Sequence, residues 1–281
     1  MIEVSTATDL RSAIATLRGS RKRIAFVPTM GSLHVGHRRL MDEARRAADA
    51  VVLSIYVNPL QFGPKEDFAA YPRTPAEDRT LASDAKVDLL FEPGEREMYP
   101  RGREWHTQVE VPRLSDILCG AFRPGHFRGV TTVVARLFNL VAPDVAVFGK
   151  KDFQQLLLIR HMVADLAMPI EIVGTDTVRE HDGLAVSSRN RYLSVDERKM
   201  APTLQQTLRR LSRSLQKGAP VAQAEATART ELELEGFRPD YVSVRRPIDL
   251  GEPHGADKSL IVLAAAWLGR TRLIDNLEFE I

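Results

Sequence analysis

The segment RIAFVPTMGSLHVGH, residues 23–37, passes from a strand pattern into a helix pattern, which is typical of an α/β fold. Residues 23–28 are a compact apolar run that ends at a proline, and Gly31 follows in a turn-forming segment. After Gly36, apolar residues recur at helical spacing over residues 40–48. The stretch therefore predicts a buried strand, a loop and a helix in direct succession.

The same alternation continues along the first part of the chain. The predicted strands are residues 23–28, 51–57, 88–91, 145–148 and 169–173. The predicted helices are residues 9–17, 36–48, 75–83, 130–141 and 152–166. Strands that alternate with helices form parallel sheets with right-handed crossovers and helices on both faces. The sequence predicts a doubly wound, Rossmann-like α/β domain.

Two regions depart from this alternation. Residues 93–127 are rich in glycine and proline, lack a helical period and hold one short strand candidate at 108–111, so we interpret them as an irregular functional segment. Beyond residue 177 the pattern changes to charged helical segments and strands, at 195–215, 221–234, 241–244, 260–265 and 271–276. We expect two domains, residues 1–177 and a smaller α+β domain of residues 178–281.

Composition narrows the classes of function. The 281 residues carry 39 Lys and Arg against 37 Asp and Glu, a net charge of +2, which gives no support to non-specific binding of nucleic acid or membranes. The single cysteine, Cys119, fits a reducing compartment, so a cytoplasmic location is expected. The longest apolar run, residues 260–268, is too short to span a bilayer, and no signal peptide or membrane helix is expected.

The loop between the first strand and its helix is the strongest candidate for chemistry. In doubly wound folds, ligands bind at the carboxyl ends of strands, where a helix N-terminus offers N–H groups to phosphate. Gly31 and Gly36 allow close backbone approach, and His34 and His37 can donate hydrogen bonds to phosphate oxygens. The alternative is an ordinary turn with solvated histidines. The segment is neither a P-loop nor the three-glycine dinucleotide fingerprint.

Three further segments carry polar groups suited to the same chemistry. FGKKDFQQ, residues 148–155, lies at another strand end, where Lys151 can approach polyphosphate and Asp152 can cap a helix. VSSRN, residues 186–190, offers two hydroxyls and a guanidinium that can fold over a nucleotide. NPLQFG, residues 58–63, supplies side-chain amides that can orient a hydroxylated acid. The alternatives for the first two segments are a strand–helix junction with solvated lysines and an ordinary polar linker.

The His-x-Gly-His turn resembles the motif of the nucleotidyltransferase superfamily, which transfers the AMP moiety of ATP. Over residues 20–195 the resemblance is more specific. The motifs PTMGSLHVGH, NPLQFG, AAYPRTP, LCGAFRPGHFRGV, FGKKDFQQ and SSRN are similar, in order and interval, to those of the pantothenate synthetase (pantoate–β-alanine ligase) family. Long motifs in a fixed order are far more specific than any one of them.

This resemblance implies an AMP-forming ligase that converts ATP and (R)-pantoate to pantoyl-adenylate and pyrophosphate, after which β-alanine displaces AMP to give pantothenate. It also implies a requirement for Mg²⁺, a homodimer and a lid role for the C-terminal domain. The catalytic residues that it implies are His37, His34, Lys151, Ser187, Ser188 and Arg189. The implied ATP-binding residues are Met30, Gly31, Ser32, Leu33, His34, Val35, Gly36, His37, Gly149, Lys150, Lys151, Asp152, Val178, Val186, Ser187, Ser188 and Arg189.

The resemblance further assigns Gln61 and Gln155 to pantoate, with Gln61 also bordering the β-alanine site. Two positions depart from the family pattern, since Val35 and Lys150 stand where many members have Glu. Three alternative functions remain open at this point. They are a different adenylyl- or cytidylyltransferase of the superfamily, a nucleotide-binding regulatory module without catalysis, and a nucleic-acid-binding protein.

Overall fold

The computed structural model describes residues 1–64 and 66–281. The strands are β1 (Ile2–Val4), β2 (Ile24–Thr29), β3 (Ala50–Ile55), β4 (Leu89–Phe91), β5 (Val145–Gly149), β6 (Glu171–Thr175), β7 (Phe237–Arg245), β8 (Ser259–Leu268) and β9 (Thr271–Glu280). The helices are α1 (Ala7–Gly19), α2 (Val35–Ala47), α3 (Pro75–Asp84), α4 (Glu95–Met98), α5 (Cys119–Phe122), α6 (His126–Val141), α7 (Phe153–Asp165), α8 (Val195–Met200), α9 (Thr203–Gln216) and α10 (Val221–Leu234). Short 3₁₀ turns span Pro59–Gln61, Lys150–Asp152 and Ser188–Tyr192.

The chain forms two compact units, residues 1–150 with 158–176 and residues 151–157 with 177–281. Residues 151–157, which the sequence places in the first domain, thus cluster with the second unit. None of the helices within the described residues combines the length and apolar character that a bilayer span requires.

The first unit is built on a six-stranded sheet in which every neighbouring pair is parallel, in the order β1-β4-β3-β2-β5-β6. Successive residues of a strand point to opposite faces, and β2 shows both. Ala25 and Val27 pack in a cluster with Met41 of α2, whereas Phe26 packs edge-on against Phe138 of α6. The doubly wound α/β prediction is confirmed.

The second unit contains a three-stranded antiparallel sheet in the order β7-β8-β9. Its core joins leucines of α9 to the buried face of β8, with Leu208 and Val262 fully buried. Helices that cover an antiparallel sheet confirm the smaller α+β part of the prediction. The strands are longer than the sequence indicates, since β7, β8 and β9 extend beyond the predicted 241–244, 260–265 and 271–276.

Three local predictions differ from the structure. Residues 108–111 form no strand, because the Val109 N–H donates to the Thr132 hydroxyl of α6 at 2.9 Å and the Thr131 hydroxyl donates to the Val109 carbonyl. The segment 195–215 is interrupted between α8 and α9, where Pro202 lacks an N–H for a continuous helix. Strand β1, which has no sequence signal, pairs with β4 at the edge of the sheet.

Candidate active site

The strand order of the first unit determines where its polar corners meet. After β2 the chain builds β3 and β4 on one side, and β5 and β6 lie on the other, so the order reverses between β2 and β5. Ligands bind at such a switch point, outside the carboxyl ends of the strands. Because β2 pairs directly with β5, the loop 30–37 and the turn at Gly149 lie at the same edge of the sheet.

The loop after β2 is held in place by hydrogen bonds to a buried carboxylate. Asp78 of α3 is 2% exposed and accepts hydrogen bonds from the N–H groups of Ser32 at 2.9 Å and Leu33 at 2.7 Å. Gly31 has φ +79°, and a Cβ there would lie 3.0 Å from the Asp78 carboxylate. The amides of Ser32 and Leu33 are therefore occupied by the protein itself. Asp78 is not among the site residues predicted from the sequence, where its one signal is the acidic first turn of the helix predicted at 75–83.

The two histidines form the N-terminal cap of α2. The Gly36 N–H donates to His34 Nδ1 at 3.1 Å, and the His34 N–H donates to His37 Nδ1 at 3.3 Å. The rings are stacked with their centroids 4.0 Å apart. A neutral imidazole that accepts at Nδ1 carries its proton at Nε2. Each ring is thus fixed as a donor through Nε2, which is the polarity that a phosphate oxygen requires.

The other residues of this corner surround the histidines. Val35 is the first residue of α2 and is exposed, so the glutamate that many family members have here would also face outward. At the end of β5, Gly149 lies close to α2, since a Cβ on it would be 4.0 Å from Leu40 Cδ2. The ammonium of Lys150 pairs with the Asp176 carboxylate at 2.7 Å. That ion pair offsets the positive charge that Lys150 adds to the corner.

Gln61 lies in a buried network beside this corner and is 8% exposed. Its Oε1 accepts from Asn58 Nδ2 at 3.1 Å, and its Nε2 donates to Met30 Sδ at 2.9 Å. The 3₁₀ turn carrying Gln61 packs tightly on α6, where a Cβ at Gly129 would lie 2.2 Å from the Leu60 carbonyl oxygen. The structure therefore brings Met30 and Gln61 together, and only glycine fits at position 129.

The backbone of Gln61 is fixed from the segment before α6. His126 Nδ1 lies 2.7 Å from the Gln61 carbonyl oxygen, so this nitrogen must carry the proton that it donates. Arg123 Nη2 donates to the same carbonyl at 3.3 Å and is itself held by Glu66, whose Oε1 accepts from Arg123 Nε at 2.8 Å. These contacts leave the amide end of Gln61 as the part of the residue that can meet a ligand.

In the second unit, Lys151 is held by the last strand. The Lys151 carbonyl accepts from Asn276 Nδ2 at 2.8 Å, and its ammonium lies 3.7 Å from Asp152 Oδ2. The side chain of Lys151 is only 19% exposed. Asp275, next along β9, accepts two hydrogen bonds from Arg179, at 2.7 and 2.9 Å. Strand β9 thus connects Lys151 to the segment that carries Val178.

The serine-rich segment 186–190 is an ordered turn and not a loose linker. The Val186 N–H donates to the Val178 carbonyl at 3.0 Å, so these two predicted ATP-binding residues lie side by side. Ser187 caps the following 3₁₀ turn by accepting from the Arg189 N–H at 3.3 Å, and Ser188 is 9% exposed. Asn190 Nδ2 donates to the Ala185 carbonyl at 3.1 Å.

A cluster of ion pairs holds the hairpin of residues 179–185, which precedes this turn in the sequence. Arg198 of α8 pairs with Glu180 at 2.7 Å and with Asp182 at 2.6 Å. The hydrogen bond from Arg198 lowers the pKa of Asp182, which burial opposes and the Leu184 N–H supports. Two carboxylates on one guanidinium therefore hold the hairpin of residues 179–185.

The predicted residues fall into two groups, one in each unit. The first unit holds residues 30–37, Gln61, Gly149 and Lys150, all near the reversal of strand order. The second holds Lys151, Asp152, Val178, residues 186–189 and Gln155, which lies half-buried in the first turn of α7. Asp78, Asn58, Asp275 and Asn276 support these groups. Of these four, only Asn58 lies in a motif that the sequence singled out.

Known proteins resemble this chain along nearly its whole length. Residues 3–278 match the pantoate-beta-alanine ligase family. A pantothenate synthetase from Shewanella sediminis is 52% identical over 279 residues, which cover 99% of each chain. One from Pseudomonas putida is 54% identical over 278 residues, covering 99% of this chain and 97% of the relative.

Solved structures agree with the sequence relatives. A pantothenate synthetase from Thermus thermophilus superposes with a TM-score of 0.92 at 48% identity and covers 99% of both chains. A pantoate-beta-alanine ligase from Francisella tularensis, complexed with beta-gamma ATP and β-alanine, gives a TM-score of 0.83 at 30% identity over 99% of this chain and 97% of that one. Because the family model and the relatives cover nearly the whole chain, this chain belongs to the pantoate-β-alanine ligase family.

Proposed function

We propose that this ligase joins (R)-pantoate to β-alanine through a pantoyl-adenylate. In the first step the pantoate carboxylate attacks the α-phosphorus of ATP, and the bond from that phosphorus to the bridging oxygen breaks to release pyrophosphate. In the second step the β-alanine nitrogen attacks the acyl carbon, AMP departs and the nitrogen loses a proton. The observation that supports the proposal is that the loop after β2 and the turn at Gly149 after β5 lie at the same edge of the sheet, where the strand order reverses.

Charge on the phosphates is the main obstacle in the first step. His34 and His37 are suited to it because both rings donate through Nε2 beside the N-terminus of α2, whose dipole favours anions. His37 is the proposed proton donor. The binding role of this corner falls to Met30, Gly31, Ser32, Leu33, Val35 and Gly36, with the amides of Ser32 and Leu33 supporting the loop through Asp78.

The second group of residues is also proposed to bind ATP. Lys151, with its backbone anchored by Asn276, places an ammonium on the polyphosphate. Ser187, Ser188 and Arg189 stabilise the departing pyrophosphate. Gly149, Lys150, Asp152, Val178 and Val186 line the nucleotide, with Val178 and Val186 held together by their backbone hydrogen bond. We assign residues 1–177 to ATP and pantoate binding and residues 178–281 to a lid.

Pantoate is proposed to bind Gln61 and Gln155, with Gln61 also bordering β-alanine. Gln61 fits an acid because its Oε1 is used by Asn58 while its Nε2 donates to a thioether, a weak acceptor that a carboxylate or hydroxyl oxygen can replace. Holding both reactants in attack geometry can supply about 7–11 kcal/mol of the barrier reduction. The proposed role of the two glutamines is therefore to align pantoate for attack.

Mg²⁺ is proposed to accompany the nucleotide. Among residues 1–64 and 66–281, no group of three or more His, Cys, Asp or Glu side chains is arranged to hold a metal ion. Mg²⁺ does not need a cluster of this kind, since it keeps several of its waters and binds through substrate phosphates and one or two carboxylates. Asp152 is the carboxylate within the proposed ATP set. When bound, the ion neutralises phosphate charge. We also propose a homodimer and a cytoplasmic location.

Product analysis tests the proposal directly. The purified protein is incubated with ATP, Mg²⁺, (R)-pantoate and β-alanine, and AMP, pyrophosphate and pantothenate are quantified. Pyrophosphate exchange into ATP is expected with pantoate alone, and sustained AMP release only when both organic substrates are present. AMP release that ignores β-alanine, or a dinucleotide-like product, would assign the chain to another reaction of the superfamily.

A further inference from the structure

Behind Gln61 lies a buried chain of hydrogen bonds that begins at a tyrosine. Tyr99, at the end of α4, is 3% exposed, and its hydroxyl donates to Asn58 Oδ1 at 2.7 Å. Asn58 is 1% exposed, and its Nδ2 donates to Gln61 Oε1 at 3.1 Å and to the Gly129 carbonyl at 3.0 Å. The hydroxyl of Tyr99 is thus connected to the proposed pantoate ligand through one intervening amide.

Only one assignment of donors and acceptors is possible along this series of hydrogen bonds. The Gly129 carbonyl can only accept and the Leu60 N–H can only donate, so the amide of Asn58 points Nδ2 towards the first and Oδ1 towards the second. The same orientation makes Gln61 Oε1 the acceptor for Asn58. Gln61 must then present Nε2, a donor, on its other side. An acid substrate offers only acceptors in its ionised carboxylate, which matches that donor.

Tyr99 supplies the shorter of the two hydrogen bonds that hold Asn58 Oδ1. The Leu60 N–H lies 3.3 Å from this oxygen, whereas the Tyr99 hydroxyl lies 2.7 Å from it. Burial raises the pKa of Tyr99 well above its ordinary value, so the phenol keeps its proton and remains a donor at neutral pH. Without this hydroxyl, Asn58 would be held at Oδ1 by one long hydrogen bond alone.

We propose that Tyr99 is a positioning residue which, through Asn58, fixes the donor orientation of the Gln61 amide and thereby sets the affinity for pantoate. This inference rests on the proposed function of Gln61. It gives a role to the irregular segment 93–127, whose Tyr99 lies 41 residues after Asn58 in the sequence. The residue touches no substrate and acts only through the orientation of its neighbours.

A matched control lies next to Tyr99. Tyr56 is also buried, and its ring centroid is 6.3 Å from that of Tyr99. Within the described part of the chain its hydroxyl has no hydrogen-bond partner. Tyr56→Phe and Tyr99→Phe therefore remove the same atom from the same region, but only the second removes a link to Asn58.

The experiment compares Michaelis constants for pantoate and for ATP in four variants. These are Tyr99→Phe, Tyr56→Phe, Gln61→Ala and the double variant Tyr99→Phe/Gln61→Ala. Tyr99→Phe is expected to raise the KM for pantoate by about 2- to 12-fold, the effect of losing one net hydrogen bond. Its KM for ATP and the pantoate KM of Tyr56→Phe should stay at the wild-type values. In the Gln61→Ala background, Tyr99→Phe should add nothing.

The outcomes separate this inference from the function on which it rests. If Gln61→Ala raises the KM for pantoate but Tyr99→Phe behaves like Tyr56→Phe, the positioning role is overturned while the proposed function stands. If Gln61→Ala leaves the KM for pantoate unchanged, both are overturned. A Tyr99→Phe effect that persists in full without Gln61, or that raises both Michaelis constants alike, shows a general structural role instead. Because KM does not depend on the active fraction, partial unfolding does not obscure the result.

Discussion

At the scale of single residues, two histidines and a buried aspartate hold the loop after β2 in place. The pair His34 and His37 was predicted at a helix start, and both rings lie there. Their use as backbone caps through Nδ1 is a fact of geometry that spacing alone does not give. Asp78 shows the same limit, because it meets Ser32 across 46 residues of sequence.

Asp78 provides the test at this scale. Asp78→Ala leaves the N–H groups of Ser32 and Leu33 buried without an acceptor, and each such group costs about 1–3 kcal/mol. We expect the free energy of unfolding to fall by about 2–6 kcal/mol, measured by urea denaturation. Asp84→Ala, an exposed substitution in the last turn of the same helix α3, is the control and should leave stability near wild type. Equal losses in the two variants would contradict the role of the buried carboxylate.

At the scale of helices and strands, the apolar pattern located strands β2 to β5 because these inner strands are buried and read as apolar runs. The failures have physical causes. Residues 108–111 carry a strand pattern, but their backbone is bonded to threonine hydroxyls of α6 in place of a neighbouring strand. Strand β9 was recognised only over 271–276, and no pattern indicated that its Asn276 reaches Lys151, which is 125 residues away in sequence.

That contact makes a prediction for β9. Asn276→Ala removes the hydrogen bond to the Lys151 carbonyl, so the turn that carries the ammonium loses its anchor. We expect the KM for ATP to rise by about 2- to 12-fold, the value of one net hydrogen bond, with little change in the KM for pantoate. Gln216→Ala removes an equivalent amide-to-carbonyl bond at the far end of β9, to Glu280, and serves as the control. A shift of both Michaelis constants in Asn276→Ala would indicate distortion of the sheet instead.

At the scale of the whole molecule, the net charge is only +2, and many of the charged side chains form ion pairs between distant parts of each unit. In the first unit, Asp144 accepts from the Ile24 N–H and from Arg18 Nη1, both at 2.7 Å. In the second, Asp182 pairs with Arg198. Net charge follows from composition, whereas such pairings depend on the finished fold and could not be predicted from the sequence. They decide how stability responds to acid.

Acid stability is the prediction that belongs to this scale. Burial alone would raise the pKa of Asp144, but the Ile24 N–H and the Arg18 guanidinium outweigh it and lower that pKa. A carboxyl with a lowered pKa stabilises the fold above its unfolded-state value, about 3.9, and loses this contribution as pH falls through the folded-state pKa. The wild type should therefore lose stability below about pH 4.

Asp144→Asn isolates this contribution. At pH 7 the variant should be less stable than wild type by about 1 kcal/mol, a small value because the pair is partly exposed. The difference should shrink as the pH is lowered from 5 to 3, measured by urea denaturation at each pH. Asp116→Asn, at an exposed aspartate, should follow the wild-type curve throughout. A difference between Asp144→Asn and wild type that stays constant down to pH 3 would mean that ionisation of Asp144 contributes nothing, and that the loss at pH 7 comes from packing alone.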